Sequence, residues 1–139
     1  MINDNKKYSI LIVEDDTFLG ELYQRTLNTA GYKTTLAADG EAGLNLAQAK
    51  PDLILLDIMM PKLNGIDVLK KLRQDTKTKD ITIVMLTNFG QDDVIKQAYE
   101  LGANGYLLKI QYTPYEIIEQ IKNFLENPNF QKELNKSND

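Results

Sequence analysis

Short apolar runs alternate along this chain with longer stretches in which apolar residues recur every three or four positions. The runs fall at residues 8–13, 34–37, 53–56, 81–86 and 105–108. Segments such as LILL and ITIVML hardly alternate between apolar and polar, which predicts strands covered on both faces. The intervening stretches carry helical stripes. Phe18, Leu19, Leu22, Tyr23 and Leu27 form the first, with Gly31 as a C-terminal stop. Ala42, Leu46 and Ala49 form a weaker second before Pro51, and Ile66, Leu69 and Leu72 form a third. Val94, Ile95, Ala98 and Leu101 form a fourth that ends at Gly102. Ile117, Ile118, Ile121, Phe124 and Leu125 form the fifth. Thr113-Pro114-Tyr115-Glu116 opens that last stretch as a capping box with proline in the first helical position, and Pro128 limits its end.

Five strand–helix repeats with strands buried on both faces predict an α/β fold, a doubly wound parallel sheet with helices on both faces. In such sheets ligands bind beyond the carboxyl ends of the strands, near the point where strand order reverses. The residues that end the strands are therefore the ones to inspect. The first strand runs into Glu14, Asp15 and Asp16, the third into Asp57, the fourth into Thr87 and the fifth into Lys109. The second ends in Ala38-Asp39-Gly40, an ordinary helix start. With the order 2-1-3-4-5, strands one and three are neighbours and Asp15 and Asp57 converge, with Thr87 and Lys109 alongside. Acids gathered there make a hard-oxygen site suited to Mg2+, which is usually held by one or two carboxylates plus waters and a phosphate.

Composition narrows the chemistry. The 139 residues favour one domain and contain no cysteine, so disulfides and thiolate metal sites are excluded. There is no histidine, so no histidine base or ligand comes from this chain. The net charge of −4 is spread along the sequence, without the basic cluster of a nucleic-acid binder, and no nucleic acid is expected as a direct partner. No apolar run is long enough to span a bilayer, and MINDNKKYS has no apolar signal core. A cytoplasmic location without a membrane partner is the resulting expectation.

A carboxylate beside a bound cation can act as a nucleophile toward phosphorus. Phosphoryl transfer then requires mainly that the charge on the equatorial oxygens be neutralised. The ammonium of Lys109 and the hydroxyl of Thr87 are suited to two of those oxygens. Read singly, each residue has a plainer role. Asp16 with Thr17 suits the start of the first helix, Glu14 and Asp15 suit capping, Asp57 suits a turn, and Lys109 suits a solvated lysine. The ends of the first, third, fourth and fifth strands taken together favour the shared site.

The pieces IVEDD, LILLDIMMPKLNG, VMLTN and GANGYLLK stand in order over about residues 7–126. In this the chain resembles a response-regulator receiver domain, CheY-like in layout. The resemblance implies that Asp57 accepts the phosphoryl group. Asp15, Asp57 and the backbone carbonyl of Met59 would ligate Mg2+, and Glu14 would act through a coordinated water. Thr87 and Lys109 would bind the phosphoryl oxygens. The donor would be a phosphohistidine on a sensor histidine kinase or a histidine phosphotransfer protein. Tyr106 reads either as an edge-strand aromatic or, by the resemblance, as a rotamer switch that follows Thr87. In the second reading it remodels the surface of the fourth helix, fifth strand and fifth helix for a downstream target. The chain would promote its own phosphorylation and dephosphorylation without being a multiple-turnover enzyme. It would be a monomer, with pairing open to the phosphorylated form.

Three departures from the family pattern qualify this. Ile110 replaces the usual proline after the strand-five lysine, so the Lys109–Ile110 bond is expected to be trans, with residues 110–113 on their own path. Asn88 replaces a smaller residue beside the phosphoryl pocket. Met59 and Phe89 flank that pocket without groups to orient an attacking water, which implies slow self-dephosphorylation. Met59→Asn with Phe89→Glu should shorten the lifetime of the phosphorylated form. Two rival functions follow: a receiver-like binding module that never takes phosphate, and an aspartate-based phosphatase. DIMMP lacks the second acid that the phosphatase would need two residues after Asp57. Residues 1–126 are expected to form the receiver domain. Residues 127–139 read as a polar tail, one extra helical turn built on Phe130 and Leu134, or the start of a linker.

Overall fold

A computed structural model describes residues 8–88 and 92–137. Five strands, β1 (Ser9–Val13), β2 (Lys33–Ala37), β3 (Leu53–Asp57), β4 (Thr82–Thr87) and β5 (Gly105–Leu108), form one parallel sheet in the order β2-β1-β3-β4-β5. Six helices follow the strands: α1 (Thr17–Thr29), α2 (Gly40–Leu46), α3 (Gly65–Gln74), α4 (Asp92–Glu100), α5 (Pro114–Glu126) and α6 (Phe130–Ser137). The doubly wound sheet expected from the pattern is the one observed.

The absence of alternation in the strands has its cause in two cores, one on each face. Leu11, Val13, Ile54, Leu56, Ile83 and Met85 point to one side, where Val68, Leu69 and Leu72 of α3 and Ala98 of α4 cover them. Ile10, Ile12, Leu53, Leu55, Val84 and Leu86 point to the other, under Tyr23 and Leu27 of α1 and the Ile117, Ile118, Ile121 and Phe124 stripe of α5. Each fully buried Leu or Ile contributes roughly 1.5–3 kcal/mol of transfer free energy. Every residue of β3 is buried, as befits the central strand.

Helix boundaries follow local chemistry. The Asp16 carboxylate caps α1 by accepting from the Leu19 amide at 3.0 Å, the plainer role considered for it. Asp39 caps α2 and Asn64 caps α3 in the same way. The capping box of α5 is complete, with Thr113 Oγ1 accepting from the Glu116 amide and Glu116 Oε1 from the Thr113 amide. Gly31 and Gly102 take φ values of 100° and 102°, which end α1 and α4 at little steric cost. The second helix is shorter than its stripe suggests. Its last turn, Ala47–Ala49, tightens to a 3-10 turn, and Lys50 turns left-handed at φ 57° before Pro51, which cannot continue a helix. The segment after α5 holds more than one extra turn. Phe130 packs edge-on against Phe124 with centroids 5.6 Å apart, and the two-turn α6 follows.

The strand ends opposite the acids are tied by side chains. Arg73, in the last turn of α3, donates to the carbonyls of Gly102 and Lys79, both at 2.9 Å, and to Asn104 Oδ1 at 3.1 Å. Asn104 Oδ1 also accepts from the Ile83 amide at 2.8 Å. The buried Thr78 hydroxyl donates to the Leu72 carbonyl, and Asp52 Oδ2 accepts from the Ser9 amide.

Candidate phosphoacceptor site

The parallel register carries β1, β3, β4 and β5 to a common carboxyl end, and the polar residues that end them meet there. Val13 pairs with Leu56, Asp57 with Leu86 and Thr87 with Leu108. Glu14 and Asp57 are only 1% and 2% exposed, whereas Asp15 faces solvent. Carboxylate oxygens of Glu14, Asp15 and Asp57 all lie within 4.8 Å of one another. The three acids expected to converge therefore do so.

Two buried carboxylates this close repel, by about 4 kcal/mol at 4 Å and an effective dielectric near 20. Lys109 offsets part of this. Its Nζ lies 2.7 Å from Glu14 Oε1 and 3.3 Å from Asp57 Oδ2, so it is paired and not a solvated lysine. Burial works against its charge, but Glu14 and Asp57 outweigh burial and raise its pKa. The Asp57 carboxyl is pushed up to about 7, by burial first and then by Glu14, against the lowering pull of Lys109. The Met59 amide donates to Asp57 Oδ1 at 3.2 Å and holds the side chain at the mouth of the β3–α3 loop.

The charge balance is incomplete. Glu14 Oε2 is buried and makes no hydrogen bond. An orphaned buried carboxylate oxygen costs free energy comparable to a lost charged hydrogen bond. Three clustered acids with hard oxygen donors, one of them orphaned, fit a divalent cation of the Mg2+ type. These residues suit the ion, and nothing about their donor set favours a soft metal.

Thr87 is buried at the end of β4, and its carbonyl accepts from the Lys109 amide at 2.7 Å, so β4 and β5 are locked together beside the acids. Tyr106 stands further back on β5, half-buried, with its ring edge-on to Tyr99 at 6.0 Å. Met59 is 59% exposed over the pocket. Phe89, its expected companion, lies outside the described residues. Asn88 is exposed. No cis peptide occurs among the described residues, so Lys109–Ile110 is trans, and Ile110 is 79% exposed. A turn follows in which the Gln111 amide donates to the Leu108 carbonyl.

Two residues, one packed against the site and one on the neighbouring edge of the sheet, escaped the reading of strand ends. Gly65 packs so tightly that a Cβ there would sit 2.2 Å from the Asp57 carbonyl oxygen. Only glycine lets α3 start directly against the peptide of Asp57. The Asn64-Gly65 dipeptide marked a turn, but not this approach. The second is Gln131 of α6, which meets β5 at Tyr106 and whose position in a polar segment gave no signal.

Comparison with known proteins agrees with this geometry. The family model for the response regulator receiver domain matches residues 10–126. The DNA-binding dual master transcriptional regulator RpaA of Synechocystis sp. is 42% identical over 113 residues, 81% of this chain and 45% of that protein. A putative response regulator from Chloroflexus aurantiacus superposes with a TM-score of 0.77 at 35% identity, covering 86% of this chain and 98% of the other. The Mn(2+)-bound form of response regulator Rcp1 gives 0.75 at 32% identity, covering 86% and 96%. The chain spans about half the length of the curated relatives it matches. RpaA is a DNA-binding regulator by name, which conflicts with the expectation of no nucleic-acid partner. That expectation rested on the charge of these 139 residues alone and is not carried further. Among the described residues no helix is long and apolar enough to cross a membrane. Five strands in the order 2-1-3-4-5, an acid cluster at their carboxyl ends and a family match over most of the sequence place this chain in the response-regulator receiver domain family of two-component signalling.

Proposed function

We propose that Asp57 is the residue this receiver domain phosphorylates, and that the phosphoryl group comes from a phosphohistidine on a kinase or phosphotransfer partner. The observation that carries this is the cluster itself, a buried aspartate touched by a lysine and two further acids at the switch point of the sheet. In the step, Asp57 Oδ attacks phosphorus, the new O–P bond forms as the N–P bond breaks, and the electron pair returns to the partner's imidazole. Asp57 must be ionised to attack, and Lys109 favours that form. Lys109 Nζ, already 3.3 Å from Asp57, is placed to neutralise a phosphoryl oxygen. The Thr87 hydroxyl is suited to donate to another.

Glu14, Asp15 and Asp57, with the Met59 carbonyl as a further oxygen, would hold Mg2+. When bound, the ion supplies positive charge to the transferring group and keeps the acids ionised. A structural neighbour with 32% identity, response regulator Rcp1, is known in an Mn(2+)-bound form, which supports a divalent ion as the ligand class. Tyr106 and Thr87 are proposed as the switch pair, and the α4–β5–α5 surface as the output face for a downstream target. The same reading places the chain in the cytoplasm and makes it a self-modifying signalling module without multiple turnover.

Incubation with acetyl phosphate and Mg2+, followed by intact-mass measurement, tests the assignment. One added phosphoryl group in the parent chain and none in Asp57→Asn is expected. A parent chain that gains no mass refutes it. Met59, exposed and apolar, offers an attacking water no hydrogen bond. The adduct is therefore expected to be long-lived, and Met59→Asn with Phe89→Glu to shorten its decay time severalfold. An unchanged lifetime would count against that role for the pair.

A further inference from the structure

The sheet has a free edge at β5, and the residue there has an unusual partner. The Tyr106 amide donates to Gln131 Oε1 at 2.8 Å, and Gln131 Nε2 donates to the Tyr106 carbonyl at 2.8 Å. One side-chain amide thus copies the donor and acceptor that a sixth strand would offer. The same Oε1 accepts from the Tyr99 hydroxyl of α4 at 2.6 Å. Around it, Phe130 packs edge-on against Phe124 of α5, and Lys132 Nζ stands 5.7 Å over the Tyr99 ring. Gly105 makes room, since a Cβ there would meet Phe124 at 2.3 Å and Gln131 Oε1 at 2.7 Å. The start of α6 therefore touches α4, β5 and α5 together, which is the surface proposed above for output.

This cover is wired to the phosphoacceptor site through β5. Lys109, three residues beyond Tyr106, ends the strand with its ammonium on Glu14 and Asp57 and its amide on the Thr87 carbonyl. A phosphoryl group on Asp57 adds negative charge close to Lys109, and the ammonium must be shared anew. Hydrogen bonds lengthened by a few tenths of an ångström or turned off-line weaken steeply. Gln131 holds two at once to a single peptide, so it is sensitive to a small shift of β5.

We propose that α6 is an internal cover of the α4–β5–α5 face, fastened by Gln131 to the peptide of Tyr106 and released when Asp57 carries a phosphoryl group. The release rests on the phosphoacceptor reading above. A partner for this face meets α6 first, and the face opens only as α6 leaves. Linkage is reciprocal at equilibrium, so in a chain with a weakened cover the balance must lie further toward the phosphorylated form.

Residue-resolved amide exchange on the full chain tests this, with intact mass as an independent record of phosphate. The Tyr106 amide is expected to be protected in the untreated protein. Its exchange should speed at least tenfold after acetyl phosphate and Mg2+ give the one-phosphoryl adduct. Gln131→Ala should show fast exchange at Tyr106 without phosphate and reach a severalfold higher ratio of phosphorylated to unphosphorylated chain at steady state than the parent. Phe130→Ala, which loosens α6 and leaves Gln131 in place, should fall between. An adduct with the Tyr106 amide still protected overturns the inference and leaves the phosphoacceptor assignment standing. Unchanged Tyr106 exchange in Gln131→Ala overturns it as well. A chain that gains no phosphoryl mass overturns both.

Discussion

At the scale of the residue, the decisive group is Asp57, kept buried beside another acid. Its pKa lies above the ordinary 3.8, at about 7, because burial and Glu14 disfavour the charged form. Between those values the folded chain binds more protons than the unfolded chain, so this group's contribution to stability falls as pH rises through that window. Asp57→Asn removes the charge while keeping the shape. Without metal, the variant should gain on the order of 1–3 kcal/mol at pH 8 and little at pH 4. Thermal unfolding in a chelator at both pH values checks this, and an equal or lower midpoint at pH 8 would contradict it. The place of this residue among the acids was visible in the sequence because a carboxylate that ends a run buried on both faces stands out there. The pairing of Lys109 with Glu14 was visible only in outline, since 95 residues separate them. Gln131 was not legible at all, because a side chain that stands in for a peptide leaves no pattern of its own.

At the scale of the element, caps and stripes were the most readable features. The signals at Asp16, Asp39 and Thr113 each describe contacts within three residues, which need no knowledge of the rest of the fold. Thr113→Ala should therefore cost about 1 kcal/mol. Denaturant unfolding would show it as a lower midpoint with an unchanged slope, and no shift would mean that Pro114 and Glu116 alone fix the start of α5. The sixth helix was harder to read. FQKELNKS has two apolar residues in eight, and an isolated helix of that length is marginal in water. Its order comes from Phe124, Tyr99 and Tyr106, which are contacts that periodicity does not report. The shortening of α2 has a similar origin, in a weak stripe pressed against Pro51.

At the scale of the whole molecule, the sheet order joins the acids. Apolar patterning gave the number and kind of strands. The order 2-1-3-4-5 needed the rule for right-handed crossovers and the chemistry of the strand ends as well. That order makes metal binding a property of the folded chain alone, since β1 and β3 supply acids more than 40 residues apart. Mg2+ should then stabilise the native state, by about 2.7 kcal/mol at a hundred times its dissociation constant. Melting curves with and without Mg2+ measure this, and the rise should vanish in Asp15→Asn with Asp57→Asn. An equal rise in that double variant would place the ion elsewhere.

The side-chain ties at the far ends of the strands give the molecule a spine. Arg73 binds the end of α3 to the turns that lead into β4 and β5, and Asn104 ties the start of β5 to β4. The domain is thus bound like a book along the margin that lies away from the acids. A charge added among the acids falls on the opposite margin, where it can turn the end of β5 while the architecture stays shut.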